Sequence, residues 1–104
     1  MKQYAQGDVL FTKVVALPAT AKKVAAEHGR AIFARGEATG HHHAAPASTC
    51  EISLAEGGVM YCTIQELTEV AHQEHGIVVL EPGVYRVDRQ RELDAWNGWR
   101  QVQD

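Results

Sequence analysis

The chain has 104 residues and a formal net charge of −3, with 45% hydrophobic and 22% charged side chains. This length suits a single domain, which we expect to span residues 1–104, and the hydrophobic content excludes a disordered chain. No apolar run approaches the roughly 20 residues that a membrane helix needs, and the start of the chain lacks the apolar stretch of a signal peptide. We therefore expect a cytoplasmic protein with no membrane partner.

The charges are distributed unevenly along the sequence. Residues 36–85 contain no Lys or Arg, whereas they hold seven Glu and five of the six His. Such a segment creates a negative field that attracts cations and repels phosphate backbones. A chance scatter of acids in a short chain would give the same counts, but nucleic acid is disfavoured as the main partner under either interpretation.

The first part of the chain predicts two strands separated by a helical segment. Residues 9–17 form a β-rich run that ends at a proline. Residues 20–28 are rich in Ala and Lys and predict one or two helical turns, with Gly29 as the stop. Residues 30–35 predict the next strand, which continues towards Thr39.

The second part of the chain predicts a hairpin and two further strands. Two β-rich runs surround Gly57 and Gly58, which is the pattern of a hairpin turn. The predicted strands are residues 49–54, 59–64, 77–80 and a long strand from residue 84, whereas residues 66–75 fit either a helical turn or a loop. The sum of about six to seven short strands with at most one short helix predicts an all-β fold, a compact small barrel or sandwich.

Two cysteines, Cys50 and Cys62, lie within strand-like runs. Without an export signal we expect reduced thiols in or near the core and no disulfide. Their thiols are also soft metal ligands, which we keep as a lesser alternative.

Two pairs of histidines predict a metal site. His41 and His43 project from the same face of an extended backbone, while the three-residue spacing of His72 and His75 suits a helical turn or a tight loop. Together they could supply four ligands, or three ligands and an open position for water or substrate. Imidazole favours a divalent transition metal over Ca²⁺ or Mg²⁺, with Zn²⁺ first and Ni²⁺, Mn²⁺ or Fe²⁺ as alternatives.

Glu74 lies inside the second pair and is our candidate catalytic residue. It could ligate the metal, orient an imidazole, or act as a general base beside a metal-bound water. The spacing matches neither a zinc finger nor a zinc peptidase. The alternative is a solvated loop at residues 41–43, with His72 and His75 capping or hydrogen-bonding elsewhere and Glu74 facing solvent.

Four sequence blocks resemble a family of small, mostly uncharacterised bacterial and phage-encoded proteins. The blocks are Gln-Gly-Asp-Val-Leu at residues 6–10, Gly-Glu-x-Thr-Gly-His-x-His at 36–43, His-x-Glu-His at 72–75 and Gly-x-Tyr-x-Val-x-x-Gln-Arg-Glu at 83–92. The resemblance implies that His41 and His43 are the meaningful members of the triple histidine and that His42 varies. Phage occurrence implies an accessory or host-modulating role, by analogy alone.

These observations leave two main hypotheses. The first is a metal-binding β domain that uses the two histidine pairs. The second is a non-catalytic interaction or inhibitor protein, acting as a homo-oligomer on a host or phage partner, with structural or pH-responsive histidines. A metal-dependent hydrolase is a further alternative. A 104-residue β domain has little room for both a core and a substrate pocket, which favours a binding module over an enzyme.

Overall fold

A computed structural model of the chain describes residues 2–35 and 42–90, and for Arg35 it describes the backbone only. Ten strands and one 3₁₀ turn are formed by these residues. The strands are β1 (Gln3–Gln6), β2 (Val9–Val14), β3 (Lys22–Lys23), β4 (Arg30–Arg35), β5 (His42–Pro46), β6 (Cys50–Leu54), β7 (Met60–Ile64), β8 (Thr68–Val70), β9 (Val78–Leu80) and β10 (Gly83–Arg89).

Six strands form one antiparallel sheet in the order β1-β2-β10-β7-β6-β3. At its centre, β10 pairs with β2 on one side and with β7 on the other. β4 pairs with β5, and β8 pairs with β9, as two smaller ribbons. Ala44 of β5 and Ala71, just after β8, exchange both backbone hydrogen bonds, at 3.1 and 2.8 Å. This bridge brings the triple-histidine segment beside the segment that contains His72 and His75.

The core is filled by the inward-facing residues of these strands. Phe11 of β2 and Phe33 of β4 meet edge to face with ring centroids 5.1 Å apart, which packs the β4–β5 ribbon against the main sheet. Tyr85 is fully buried, and its hydroxyl donates a hydrogen bond to the Glu81 carbonyl at 2.7 Å. Burying an aromatic side chain of this size contributes about 1.5–3 kcal/mol to folding.

The prediction of an all-β fold is confirmed. The hairpin is also confirmed, because β6 pairs with β7 from Cys50–Ile64 to Leu54–Met60. Gly57 and Gly58 turn the chain there with φ of +79° and +78°, values that glycine adopts without a Cβ clash. The described residues contain more strands than the six or seven that we predicted, because β1, β3 and β8 are only two to four residues long.

The predicted helical turns at residues 20–28 are wrong. Lys22 and Lys23 form an edge strand that pairs with Leu54 and Ser53, and the backbone N–H of Val24 donates to the Ile52 carbonyl at 2.8 Å. A segment this short gains little from helix propensity, so the backbone hydrogen bonds offered by the edge of β6 decide its conformation. Within the described part of the chain, no helix has the length and apolar character needed to cross a membrane.

Candidate functional site

Three of the four predicted metal ligands lie together. The ring centroids of His43 and His72 are 4.3 Å apart, those of His72 and His75 are 4.6 Å apart, and those of His43 and His75 are 5.9 Å apart. We call these three residues the histidine cluster. His41, the fourth predicted ligand, lies outside the described residues.

His43 is the buried member of the cluster. It lies on β5 next to Ala44 and Ala45, and only 7% of its surface is exposed. The register between β4 and β5 shifts between Ile32 and Ala34, so that His43 pairs with Ala34. This irregularity sets which β5 side chains face the core, because side chains of a strand alternate between its two faces.

Gln6 fixes the orientation of the His43 ring. Its side-chain Nε2 donates hydrogen bonds to the carbonyl oxygens of Val70 and Gly76, both at 2.8 Å, so its Oε1 is the atom that faces His43. The distance from this oxygen to Nδ1 of His43 is 2.8 Å. An amide oxygen only accepts hydrogen bonds, so Nδ1 carries the proton. In the neutral ring Nε2 is then left with a lone pair.

His72 organises the turn that carries His75. Its Nδ1 accepts hydrogen bonds from the backbone N–H groups of Glu74 and His75, at 3.0 and 3.2 Å. While Nδ1 accepts these bonds, the proton of the neutral ring resides on Nε2. The turn is also tied to β5, because the backbone N–H of His42 donates to Oε1 of Gln73 at 3.0 Å. Nε2 of His72 is therefore a hydrogen-bond donor, whereas Nε2 of His43 is an acceptor.

Gly7 provides the space that the His75 ring occupies. A Cβ atom at position 7 would lie 2.5 Å from Nε2 and 2.6 Å from Cδ2 of His75. The backbone of Gly7 also has φ of +57°, in the left-handed region. Both the ring position and the turn between β1 and β2 thus depend on glycine at this position.

Asp8 and Arg89 form an ion pair beside the cluster. Nε of Arg89 donates to Oδ2 of Asp8 at 2.8 Å. Burial, together with repulsion from His72, His75 and Arg89, lowers the pKa of His43 from 6.5 to about 4, although Asp8 acts in the opposite direction. The imidazole of His43 is therefore neutral at physiological pH, which is the form that binds a metal.

Glu74 is exposed, and its backbone N–H makes the hydrogen bond to His72 described above. A catalytic or ligating role for its carboxylate stays a prediction.

The described residues do not include three or more His, Cys, Asp or Glu side chains arranged to hold a metal ion. The reason lies in the ring planes of the cluster, which are inclined by only 14° to 36° to one another. The lone pair of an imidazole lies in the ring plane, so rings that lie against each other do not aim their nitrogens at one point. Rotation of the side chains would be needed to bring three ring nitrogens onto one ion.

The two cysteines are free thiols in the core. Cys50 is 2% exposed and Cys62 is 0% exposed, on the neighbouring strands β6 and β7. The hydrogen bond with Cys50, together with burial, raises the pKa of the Cys62 thiol. Thiolate is the form that binds metal, so the Cys62 thiol has little tendency to act as a ligand.

Sequence reasoning identified the histidines but missed the residues that support them. Gln6, Gly7 and Asp8 are consecutive in the chain. Gln6 is hydrogen-bonded to His43, Gly7 leaves room for the His75 ring, and Asp8 forms an ion pair with Arg89. The available signal was the Gln-Gly-Asp block at the start of the chain. In the sequence this block marks the family resemblance but carries no chemical signal of its own.

The fold and the site together define a small antiparallel β protein with a supported histidine cluster at one end of its main sheet. The model of a family described as a domain of unknown function (DUF8820) matches residues 5–90, so the chain belongs to that family. The match includes Gln6, Gly7, Asp8 and every described histidine of the cluster. No curated protein and no solved structure matches the chain.

Proposed function

We propose that this chain is a cytosolic β domain that binds a divalent transition metal through the histidine cluster. The observation that supports the proposal is the meeting of His43 with His72 and His75, which are about thirty residues away along the chain. Side chains of one type converge in this way when they share a ligand or a hydrogen-bond network. A cluster of imidazoles in an acid-rich, cation-attracting segment favours the ligand.

His43 is the best-supported ligand. Metal-binding histidines almost always donate their second ring N–H to an oxygen acceptor, and the bond from Nδ1 to Gln6 Oε1 has this polarity. The remaining Nε2 carries the lone pair that a metal needs. His75, at the exposed end of the cluster, and His41 are the proposed partners.

His72 can serve in one of two ways. As long as its Nδ1 caps the turn, its Nε2 bears a proton and donates a hydrogen bond to a ligand of the metal. Ligation through Nε2 would require the proton to move to Nδ1, which breaks both bonds to the turn backbone. We propose the donor role, because it preserves the turn.

The ion that fits best is Zn²⁺. Imidazole is a borderline ligand that suits Zn²⁺, and a tetrahedral site needs only three histidines and one water or substrate atom. Ni²⁺, Mn²⁺ and Fe²⁺ are the alternatives that we would test beside it.

A second candidate function is a non-catalytic interaction protein that forms a homo-oligomer. It is favoured by three exposed apolar side chains on or beside β8 and β9, namely Leu67, Ile77 and Val79. Exposed apolar side chains concentrated on one ribbon are a candidate contact site. Light scattering that gives the mass of two or more chains, lost when Leu67 and Ile77 become Ser, would support this candidate. A monomer at all concentrations would contradict it.

Metal content tests the main proposal. Untagged protein should carry or tightly bind about one Zn²⁺ per chain by elemental analysis and calorimetry. His41→Ala should lower the affinity at least about tenfold, whereas His28→Ala should leave it unchanged. The proposal fails if the protein holds less than about a tenth of an equivalent and calorimetry detects no Zn²⁺, Ni²⁺ or Mn²⁺ binding.

The same titration decides the role of His72. In His72→Asn the side-chain Oδ1 replaces Nδ1 as acceptor for the turn, but nothing replaces Nε2. If His72 is a hydrogen-bond donor, this variant keeps the turn but loses one contact to a metal ligand, so Zn²⁺ binding should weaken by roughly tenfold. A loss of more than about a hundredfold would show that His72 is a ligand.

A further inference from the structure

One buried side chain joins all the segments that form the histidine cluster. Gln6 is 2% exposed, and its three polar contacts go to His43 on β5 and to the carbonyl oxygens of Val70 and Gly76. These two carbonyls lie just before and just after the turn that carries His72 and His75. The side-chain amide of Gln6, at the end of β1, therefore connects His43 with both ends of the turn that carries His72 and His75.

We propose that Gln6 is the positioning residue of the site, because it selects the tautomer of His43 and so decides which ring nitrogen is offered to the metal. This inference rests on the proposed function. In water, neutral histidine prefers the proton on Nε2, which would put a proton on the nitrogen that we propose binds the metal. The Gln6 oxygen reverses this preference, since it can only accept a hydrogen bond from Nδ1.

The direction of the amide is set by its other two bonds. Both partners of Nε2 are carbonyl oxygens at 2.8 Å, and carbonyls cannot donate. Rotating the amide by 180° would place Oε1 against these two acceptors and lose both bonds. The backbone on either side of the His72–His75 turn therefore holds Oε1 towards His43, so correct folding of that turn also prepares the His43 ring.

The first test needs no metal. In chelator-treated wild-type protein, the ring nitrogens of His43 are assigned by ¹⁵N-labelled long-range correlation NMR at neutral pH. We expect Nδ1 to give the shift of a protonated nitrogen and Nε2 that of an unprotonated one. A His43 ring with its proton on Nε2 would overturn the inference, whatever the metal content of the protein.

Two substitutions separate positioning from mere structural support. Gln6→Glu keeps an oxygen for Nδ1–H of His43 but loses both donors to Val70 and Gly76. Gln6→Met has a similar length and keeps none of the three bonds. We expect Gln6→Glu to retain the Nδ1–H tautomer and a Zn²⁺ affinity within about threefold of the wild type, despite lower thermal stability. Gln6→Met should shift the ring towards Nε2–H and weaken Zn²⁺ binding by roughly tenfold or more.

The outcomes distinguish the inference from the proposed function. A wild-type Nδ1–H tautomer that depends on Gln6, in a protein that binds no metal, would support tautomer selection and contradict metal binding. Equal losses of affinity in folded Gln6→Glu and Gln6→Met would show that Gln6 acts only through the turn and would overturn the inference. If Gln6→Met does not fold, the wild-type tautomer and the Gln6→Glu affinity still decide.

Discussion

The histidine cluster and the cysteine pair are both groups of metal-ligating side chains, but their surroundings differ. Cys50 and Cys62 belong to the apolar core, where the two thiols are hydrogen-bonded to each other. His43 is buried to a similar degree, yet its ring is hydrogen-bonded to Gln6. The other two members of the cluster are half-buried (His72) and exposed (His75). Residues of ligand type therefore form a candidate site when polar groups orient them and solvent can reach them.

Burial shifts the pKa values of Cys62 and His43 in opposite directions. It disfavours the charged form of any side chain, so it adds to the hydrogen bond with Cys50 in raising the pKa of the Cys62 thiol, which stays protonated. The same effect lowers the pKa of His43 to about 4 and keeps that ring neutral. A metal needs the thiolate of cysteine but the neutral form of histidine. Burial therefore disfavours the metal-binding form of Cys62, whereas it favours the metal-binding form of His43.

The largest expected effect comes from removing His43, the buried member of the proposed ligand set. His43→Asn retains a side-chain N–H that can donate to Gln6 but has no counterpart of Nε2. We expect Zn²⁺ affinity to fall by about a hundredfold or more, measured by calorimetry against a competing chelator.

The matched control is the double variant Cys50→Ala and Cys62→Ala. It should lose thermal stability, because two buried side chains shrink, while its Zn²⁺ affinity stays within about threefold of the wild type. If the cysteine variant lost the metal and His43→Asn kept it, the comparison between the two groups would be reversed.

A smaller effect is expected at the glycine beneath His75. Gly7→Ala places a Cβ 2.5 Å from Nε2 of that ring, so the ring must move, and we expect roughly tenfold weaker Zn²⁺ binding. The variant should also lose about 1–2 kcal/mol of unfolding free energy, because alanine is strained at φ of +57°. Calorimetry and chemical denaturation measure the two effects.

Gly29→Ala separates the effect of backbone strain from the effect of the contact with the His75 ring. Gly29 has φ of +75°, but a Cβ there would meet no atom within 4 Å. It should therefore show a similar loss of unfolding free energy with unchanged metal affinity. Equal affinities in the two glycine variants would mean that the His75 ring position is unimportant for binding.

The sequence predicted the fold class well because alternating hydrophobic runs and glycine turns are local signals. The β6–β7 hairpin followed from two β-rich runs around Gly57 and Gly58. β3 was mispredicted as helix because its conformation depends on hydrogen bonds with β6, about thirty residues away along the chain. Composition over a short window cannot report such a partner.

The candidate ligands of the site could be predicted from the sequence, but the residues that position them could not. The spacing of His72 and His75 suggested a tight turn, and the structure has one, capped by His72 itself. The contact of Gln6 with His43 joins residues that are 37 positions apart, and it exists only because β1 ends where β5 passes. Nothing in the local sequence around a buried glutamine indicates which ring it will meet.

The smallest expected effect is a difference in pH dependence that isolates His43 from the other histidines. Above about pH 6.5 its ring is neutral in both the folded and the unfolded chain, so it makes no contribution to the pH dependence there. Between this pH and about 4, the unfolded chain binds a proton that the folded chain excludes, so the free energy of unfolding falls as pH falls. In chelator-treated protein we expect the Tm to drop more between about pH 7 and about pH 5 for the wild type than for His43→Asn, whose amide does not titrate. Parallel Tm curves for the two proteins would show that His43 is protonated in the folded chain as readily as in the unfolded chain. They would contradict the lowered pKa that keeps the ring neutral.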